Sequence, residues 1–272
     1  MDMNVGKIIG SMRLGNCVIS GVGVLAGYAI AQRYAAITPE VGIAMLAAFF
    51  ITGAGNAIND YFDTETDRKL GKAKIAASEK SILLFFSAIL FAIGLGLAAN
   101  LTAGAFWIAA AVSIMLVIYS AILYKMKFLG NIVVALGTAL TLIFGAALTA
   151  NAYAAGFAAL AAFFANVGRE IIKDAEDQKG DAGTKKTLPM IMKFPELKKA
   201  VFAMYMAAIA SGLIAFMLGI FRGANFMILF AASAALFLNS FRLFSANDFS
   251  GAQKHSKFGM LSALAAFIAG AL

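Results

Sequence analysis

The chain alternates long apolar runs with short polar connections. Runs of about 18 or more residues with almost no charge recur along its whole length, which is enough for a helix to cross a bilayer. The pattern predicts nine membrane-spanning helices, at roughly 8–32, 39–59, 80–99, 102–124, 130–150, 152–173, 197–220, 223–243 and 255–272. We expect residues 1–272 to form a single all-α domain, a polytopic membrane protein of about nine transmembrane helices.

Composition supports this prediction. Hydrophobic residues make up 62% of the 272 residues and charged residues 13%, with a mean hydropathy of +0.86, whereas soluble domains carry about 25% charged residues. The single cysteine, Cys17, excludes an intramolecular disulfide and a multi-cysteine metal site. The net charge of +8 could indicate nucleic-acid binding in a soluble protein. Here we expect no nucleic-acid partner, because membrane topology accounts for the charge better.

The basic residues are divided very unequally between the two sides of the predicted bundle. Of 22 Lys and Arg residues, 20 fall at the N-terminus or in the even-numbered connections, and only Arg33 and Arg222 fall on the other side. Positively charged loops tend to remain in the cytoplasm. We therefore expect a cell-membrane protein with a cytoplasmic N-terminus and, with nine spans, a C-terminus outside.

Acidic residues concentrate in two windows that share one spacing. The windows 56–67 and 170–181 hold nine of the fourteen Asp and Glu residues. Polar residues recur at intervals of 4, 3 and 4 positions in each, namely Asn56, Asp60, Asp63 and Asp67, and Glu170, Asp174, Asp177 and Asp181. On a helix they fall at roughly 0°, 40°, −20° and 20°, which is one narrow face, with Glu65 on the opposite side. Both windows lie at predicted cytoplasmic helix ends.

This arrangement of carboxylates favours a divalent-metal site. Several carboxylates on one face repel one another and are costly to desolvate near a bilayer, so a bound cation would stabilise them. Oxygen ligands without His or Cys indicate Mg²⁺, which commonly binds through one or two carboxylates and substrate phosphates. Arg68, Arg169 and Lys173 adjoin the windows and are suitable diphosphate partners. The alternative is that the aspartates are solvated helix ends and the basic residues are topological anchors.

Further polar residues lie near the same predicted cytoplasmic helix ends. Arg13 and Asn16 are about one turn apart in the first span and share a face. Tyr119, with Lys125 or Lys127, closes the fourth span. The alternative for these residues is a snorkelling arginine, an aromatic belt and a basic anchor.

Both windows resemble the two aspartate-rich motifs of the UbiA-type intramembrane prenyltransferases. The similar segments are Asn-Ala-Ile-Asn-Asp-Tyr-Phe-Asp-Thr-Glu-Thr-Asp at 56–67 and Gly-Arg-Glu-Ile-Ile-Lys-Asp-Ala-Glu-Asp-Gln-Lys-Gly-Asp at 168–181. Further similar positions, spread over essentially the whole chain, are Arg13, Asn16, Tyr119, Gly130 and Asn131. The resemblance implies helices around a central cavity open to lipid. It also implies transfer of an isoprenyl group from its diphosphate through an allylic cation-like state.

The resemblance also implies roles for individual residues. Mg²⁺, as two ions, would hold the donor diphosphate, with Asp63, Asp67, Asp177 and Asp181 as catalytic ligands. The implied direct or water-mediated metal ligands are Asn59 (or Asn56), Asp60, Asp63, Asp67, Asp174, Asp177 and Asp181, of which Asp60 and Asp174 are supporting acids. The implied substrate contacts are Arg13, Asn16, Asn56, Arg68, Tyr119, Lys125, Arg169 and Lys173.

The acceptor is harder to infer than the donor. Within the family, the sequences of residues 168–174 and of the run that starts at Gly130 are most similar to those of archaeal digeranylgeranylglyceryl phosphate synthases. That similarity implies a geranylgeranyl donor, a lipid-like glyceryl phosphate acceptor and a role in ether-lipid synthesis. Members with aromatic acceptors, of the quinone, haem or chlorophyll type, share the metal motifs and are an alternative. Residues 71–78 contain no proline, whereas many relatives have an Arg-Pro-Ile-Pro-Ser-Gly-like loop there, so we expect a less preorganised loop.

Two other classes of protein share an apolar helical composition. A cation-coupled secondary transporter would use the carboxylates as an ion path, but such sites usually lie near the midplane on broken helices. A structural or assembly protein surrounded by membrane lipids would leave the matching spacing of the two windows accidental. Dependence on Mg²⁺ and diphosphate distinguishes a prenyltransferase from both.

Overall fold

The computed structural model describes residues 5–34, 37–69, 80–122, 127–181 and 187–272. Within these ranges the chain forms ten α-helices and one short 3₁₀ turn at Leu188–Met190. The helices are α1 (Val5–Ser11), α2 (Leu14–Gln32), α3 (Pro39–Lys69), α4 (Lys80–Ala98), α5 (Ala103–Ala121), α6 (Lys127–Ala146), α7 (Tyr153–Asp181), α8 (Phe194–Met217), α9 (Ala224–Ser245) and α10 (Phe249–Ala271). The all-α prediction is confirmed.

Eight of the described helices, α2 to α9, are long and apolar enough to cross a membrane. Large apolar side chains cover their outer surfaces, including Phe85, Trp107 and Met217, which are 69%, 69% and 83% exposed. An exposed apolar surface of this extent is stable in contact with lipid rather than water. The chain is therefore a multi-pass membrane protein, as predicted.

The ninth predicted span corresponds to α10. Its first turns carry Lys254, His255 and Lys257, which lower its hydropathy, so it is not among the eight apolar helices. Nevertheless, α10 runs antiparallel to α9 along its length. Ser240 Oγ donates to the carbonyl of Ala252 near one end (2.7 Å), and the Arg222 amide donates to the carbonyl of Gly270 at the other (2.9 Å). The last helix therefore spans the same depth of the bundle as α9.

Three predicted span boundaries differ from the observed helix ends. The first span does not begin at residue 8, because the chain breaks after α1, and Arg13 takes a left-handed conformation (φ 52°) before α2 begins. The second and sixth spans do not end at 59 and 173, since α3 continues to Lys69 and α7 to Asp181. Both acidic windows thus lie within long helices.

The two ends of the bundle differ in polarity, as the unequal distribution of basic residues predicts. At one end Arg13 contacts Asp60, and Gln253 donates to Glu176. At the other end Thr102 Oγ1 donates to the carbonyl of Ala147. Arg33 and Arg222, the two basic residues predicted on the poorly charged side, both lie at that second end, against the Ile220 carbonyl and the start of α9 respectively. Both acidic windows consequently reach the same end of the bundle.

The helix α2 packs against α3, α6, α7 and α10. It approaches α6 so closely that a Cβ atom at Gly27 would overlap the backbone of Leu142, and one at Gly145 would overlap the backbone of Val24. Small residues allow such close helix packing in membranes, where dispersion contacts replace the hydrophobic effect as the driving force. This contact joins the α2–α3 hairpin to the α6–α7 hairpin, the two hairpins that carry the acidic windows.

Candidate functional site

The polar face of α3 divides into two flanks with different partners. Asn56 and Asp60, at about 0° and 40° around the helix, turn towards the junction of α1 and α2. Asn59 and Asp63, at about −60° and −20°, pair with each other. The narrow face expected from the sequence is thus correct for the helix, but its members do not share one partner.

The first flank holds the elbow between α1 and α2. The amide of Asn56 donates to the carbonyl of Met12, and Arg13 forms an ion pair with Asp60. Each of the two contacts has a length of 2.8 Å. The thiol of Cys17 also donates to the Met12 carbonyl (3.1 Å). Asp60 is 8% exposed, and a carboxylate so deeply buried needs a compensating charge. Asn56, Asp60 and Arg13 therefore have a structural role in addition to any role in binding.

The second flank is a preoriented carboxylate. The amide of Asn59 donates to Oδ2 of Asp63 over 2.8 Å, across one turn of α3, and both residues are half-buried. A hydrogen bond to one carboxylate oxygen restricts the rotation of the group. Asp67 and Arg68 follow one turn later on α3, but their side chains lie outside the described part of the structure.

In the second window, Glu170 is the buried centre of a charged cluster. Glu170 is 7% exposed. Its Oε1 accepts a 2.6 Å hydrogen bond from Arg169, and the Nζ of Lys173 lies 3.9 Å from its Oε2. Arg169 also approaches Oδ1 of Asn166 at 3.5 Å. Two of the cations predicted to contact diphosphate, Arg169 and Lys173, therefore lie beside one buried carboxylate.

Asp174 is held by a residue from the preceding helix. Asn131, which is 7% exposed on α6, donates from Nδ2 to Oδ2 of Asp174 over 2.8 Å. Asp177 follows in an exposed position on α7. The side chain of Asp181 and all of Lys125 lie outside the described residues.

Tyr119, at the end of α5, connects the two windows. Its hydroxyl is close enough to interact electrostatically with the carboxylates of Glu170, Asp63 and Asp174 and with the guanidinium of Arg13. Tyr119 lies in α5, Asp63 in α3, and Glu170 and Asp174 in α7, while Arg13 directly precedes α2. Asn16 is exposed in the first turn of α2, one turn beyond Arg13. The structure thus brings together most of the residues that the sequence singled out.

Three polar residues of this region were not among the predicted site residues, namely Asn131, Thr138 and Asn166. Each lies in an apolar run, where a buried amide or hydroxyl needs a partner. That cost was the available signal, but a partner on another helix cannot be identified from one sequence.

The chemistry of the donor atoms suits Mg²⁺. Within the described residues, no three Asp, Glu, His or Cys side chains are close enough to hold an ion by themselves. The oxygen groups present, among them Asp63, Asp174 and Asp177, match the ligand preference of Mg²⁺, which completes its shell with water and substrate phosphates. The described residues therefore fit an ion that is shared with a phosphate-bearing substrate.

Two curated relatives match the chain over most of its length. A digeranylgeranylglyceryl phosphate synthase of Methanothrix thermoacetophila is 30% identical over 266 residues, which cover 95% of this chain and 97% of that protein. The protein of the same name from Pyrococcus abyssi is 36% identical over 194 residues, which cover 70% of each chain.

Solved structures have the same fold. One structure, described as concerning digeranylgeranylglyceryl phosphate synthase in membranes, superposes with a TM-score of 0.83 at 28% identity over 98% of both chains. A UbiA homologue from Archaeoglobus fulgidus bound to GPP and Mg²⁺ superposes with a TM-score of 0.72 over 96% of this chain and 99% of that one. At 17% identity, this second likeness concerns the fold alone. The model of the UbiA prenyltransferase family matches residues 20–267, and this chain belongs to the UbiA prenyltransferase family.

Proposed function

We propose that this protein transfers a geranylgeranyl group from geranylgeranyl diphosphate to geranylgeranylglyceryl phosphate. The observation that carries the proposal is that the acidic helices α3 and α7 place paired carboxylates and cations (Arg13, Arg169 and Lys173) at one end of a membrane bundle. The full-length similarity to digeranylgeranylglyceryl phosphate synthases supports this donor and this acceptor.

The chemistry is the exchange of one C–O bond for another. The bond between C1 of the donor and a diphosphate oxygen breaks, and its electron pair leaves with the diphosphate. The allylic C1, with cation-like character, then bonds to the hydroxyl oxygen of the acceptor, whose proton passes to the departing diphosphate or to water. Charge develops on the departing diphosphate, so groups that bind it more tightly in the transition state accelerate the reaction.

We place the donor diphosphate between the two acidic windows. Asp63 and Asp67 on α3, with Asp177 and Asp181 on α7, are the proposed ligands of two Mg²⁺ ions, with Asn59, Asp60 and Asp174 in support. Bound Mg²⁺ would neutralise the charge of the diphosphate. Arg13, Arg169 and Lys173 supply positive charge at the same end, since their cationic groups lie beside Asp60 and Glu170.

We further propose that this end faces the cytoplasm. The end that bears the acidic windows also bears 20 of the 22 Lys and Arg residues in the predicted topology, and such loops are retained on the cytoplasmic side. The soluble diphosphate headgroup would then enter from the cytoplasm, while the isoprenyl tail remains in contact with lipid.

A transfer assay in detergent or liposomes tests this function. Labelled geranylgeranyl diphosphate is supplied with Mg²⁺ or with EDTA, and with either geranylgeranylglyceryl phosphate or 4-hydroxybenzoate as acceptor. We expect Mg²⁺-dependent product from the glyceryl phosphate only. Product from the aromatic acid alone would retain the mechanism and replace the acceptor, whereas no binding of diphosphate would favour a transporter.

A further inference from the structure

Two hydrogen bonds join α6 to α7 in a line that leads to the acidic end. Asn131 donates a 2.8 Å hydrogen bond to Asp174. Deeper in the bundle, Asn166 Nδ2 donates a 2.7 Å hydrogen bond to Oγ1 of Thr138. Asn131 and Thr138 are seven residues apart on α6, and their partners are eight apart on the antiparallel α7, so both bonds lie along one contact line. We call these four residues the α6–α7 polar seam.

The amide groups of the seam are thoroughly buried. Asn131 is 7% exposed and Asn166 is 3% exposed, in helices whose other inward side chains are mainly apolar. Thr138 Oγ1 in turn donates to the carbonyl of Val134 (3.2 Å), which orients the hydroxyl oxygen towards Asn166. A buried amide without a partner would be costly, so the seam strongly favours one relative setting of the two helices.

The seam also contacts the cationic cluster. The Oδ1 atom of Asn166 faces Arg169, whose NH1 binds Glu170. The Nε–H of Arg169 is buried without an acceptor among the described residues. On the adjoining flank of α7, Gly168 packs so tightly against Tyr205 of α8 that a Cβ there would contact the ring. Contacts from α6 and α8 thus fix the rotation of α7 about its own axis.

We propose that Asn131 and Asn166 are positioning residues for the second acidic window, acting through Asp174 and Arg169 respectively. By fixing the rotation of α7, they aim Asp174 and Asp177 at bound Mg²⁺ and aim the guanidinium of Arg169 at the diphosphate. Groups that orient metal ligands commonly contribute about 10- to 100-fold to metal affinity. The inference rests on the proposed function, because it assigns these residues to the same diphosphate site.

Measurements of metal affinity and of transfer kinetics distinguish a positioning role for these residues from a purely stabilising one. The variants are Asn131→Leu, which fills similar volume without an amide, and Thr138→Val, which removes only the acceptor of Asn166. Ser233→Ala is the matched control, because Ser233 makes a buried 2.8 Å hydrogen bond between α9 and α10, to the carbonyl of Gly259. The full-length purified proteins are compared by Mn²⁺ binding, measured by electron paramagnetic resonance with inorganic diphosphate present, by transfer kinetics and by Tm.

We expect Asn131→Leu to weaken Mn²⁺ binding and to raise the half-saturating Mg²⁺ concentration by about tenfold or more. Thr138→Val should raise the donor KM several-fold with a smaller change in kcat. Ser233→Ala should lower Tm without changing the half-saturating Mg²⁺ concentration or the donor KM. Wild-type affinity for Mn²⁺ in Asn131→Leu together with an unchanged donor KM in Thr138→Val would overturn the inference, as would equal losses in Ser233→Ala. If the wild-type protein itself neither binds Mn²⁺ nor transfers the isoprenyl group, the proposed function fails instead.

Discussion

Arg13 and Asp60 form an ion pair of 2.8 Å that ties the first residue before α2 to the acidic face of α3. The pair is asymmetric, because the Asp60 side chain is 9% exposed and that of Arg13 is 41% exposed. One charge is therefore buried, while the other still reaches the surface of the mouth. This geometry makes the elbow between α1 and α2 dependent on a charge from another helix.

Removing the Asp60 carboxylate should destabilise the elbow. We expect Asp60→Ala to lower the free energy of unfolding by about 1–3 kcal/mol, less than for a fully buried pair because Arg13 is partly solvated. Thermal unfolding in detergent measures the effect. The double variant Arg13→Ala with Asp60→Ala should lose less than the sum of the two single variants, and simple additivity would contradict a direct interaction.

The aspartates proposed to bind metal should be essential for turnover. We expect Asp63→Ala and Asp177→Ala each to reduce kcat/KM by about 100-fold or more, because each removes charge stabilisation of the departing diphosphate. Glu65→Ala is the control, since position 65 lies on the opposite side of α3 by helical geometry. Steady-state transfer kinetics at saturating Mg²⁺ provide the comparison. Similar activity in all three variants would falsify the proposed metal site.

The hydroxyl of Tyr119 should contribute to catalysis more than to folding. Tyr119→Phe retains the ring but removes the hydroxyl that interacts electrostatically with the carboxylates of both windows. We expect kcat/KM to fall about tenfold, which corresponds to about 1.4 kcal/mol, with little change in Tm. Tyr28→Phe is the matched control. It removes the same hydroxyl group, but Tyr28 lies about 22 Å along α2 from Arg13 and therefore far from the proposed site. An equal loss of activity in both variants would mean that Tyr119 has no particular role.

The close contact between α2 and α6 should tolerate no side chain. We expect Gly145→Ala to destabilise the protein by about 1–3 kcal/mol or more, because its Cβ would overlap the α2 backbone near Val24. Gly96→Ala meets open space in α4, so it should be neutral or stabilise the helix by up to about 1 kcal/mol. Tm values of the two variants test the prediction, and equal Tm values would contradict the close approach.

The periodic apolar pattern was sufficient to predict the helices and the shared end of the two acidic windows. Both follow from local rules, because hydrophobic length sets a membrane span and the distribution of Lys and Arg sets its direction. The break at Arg13 was missed, because the groups that hold it, Asn56 and Asp60, are more than 40 positions away in the chain. The partners of Asn131 and Asn166 were missed for the same reason.

The sequence by itself determined that this is a helical membrane protein with two acidic helix faces of equal spacing. Helical periodicity places residues on a face, but it does not say which neighbour that face meets. Only the tertiary structure decided that Asp60 pairs with Arg13, that Asp174 pairs with Asn131, and that Tyr119 lies between the windows. Those choices depend on packing between segments that are distant in the chain, of which the close approach of α2 and α6 at Gly27 and Gly145 is one example.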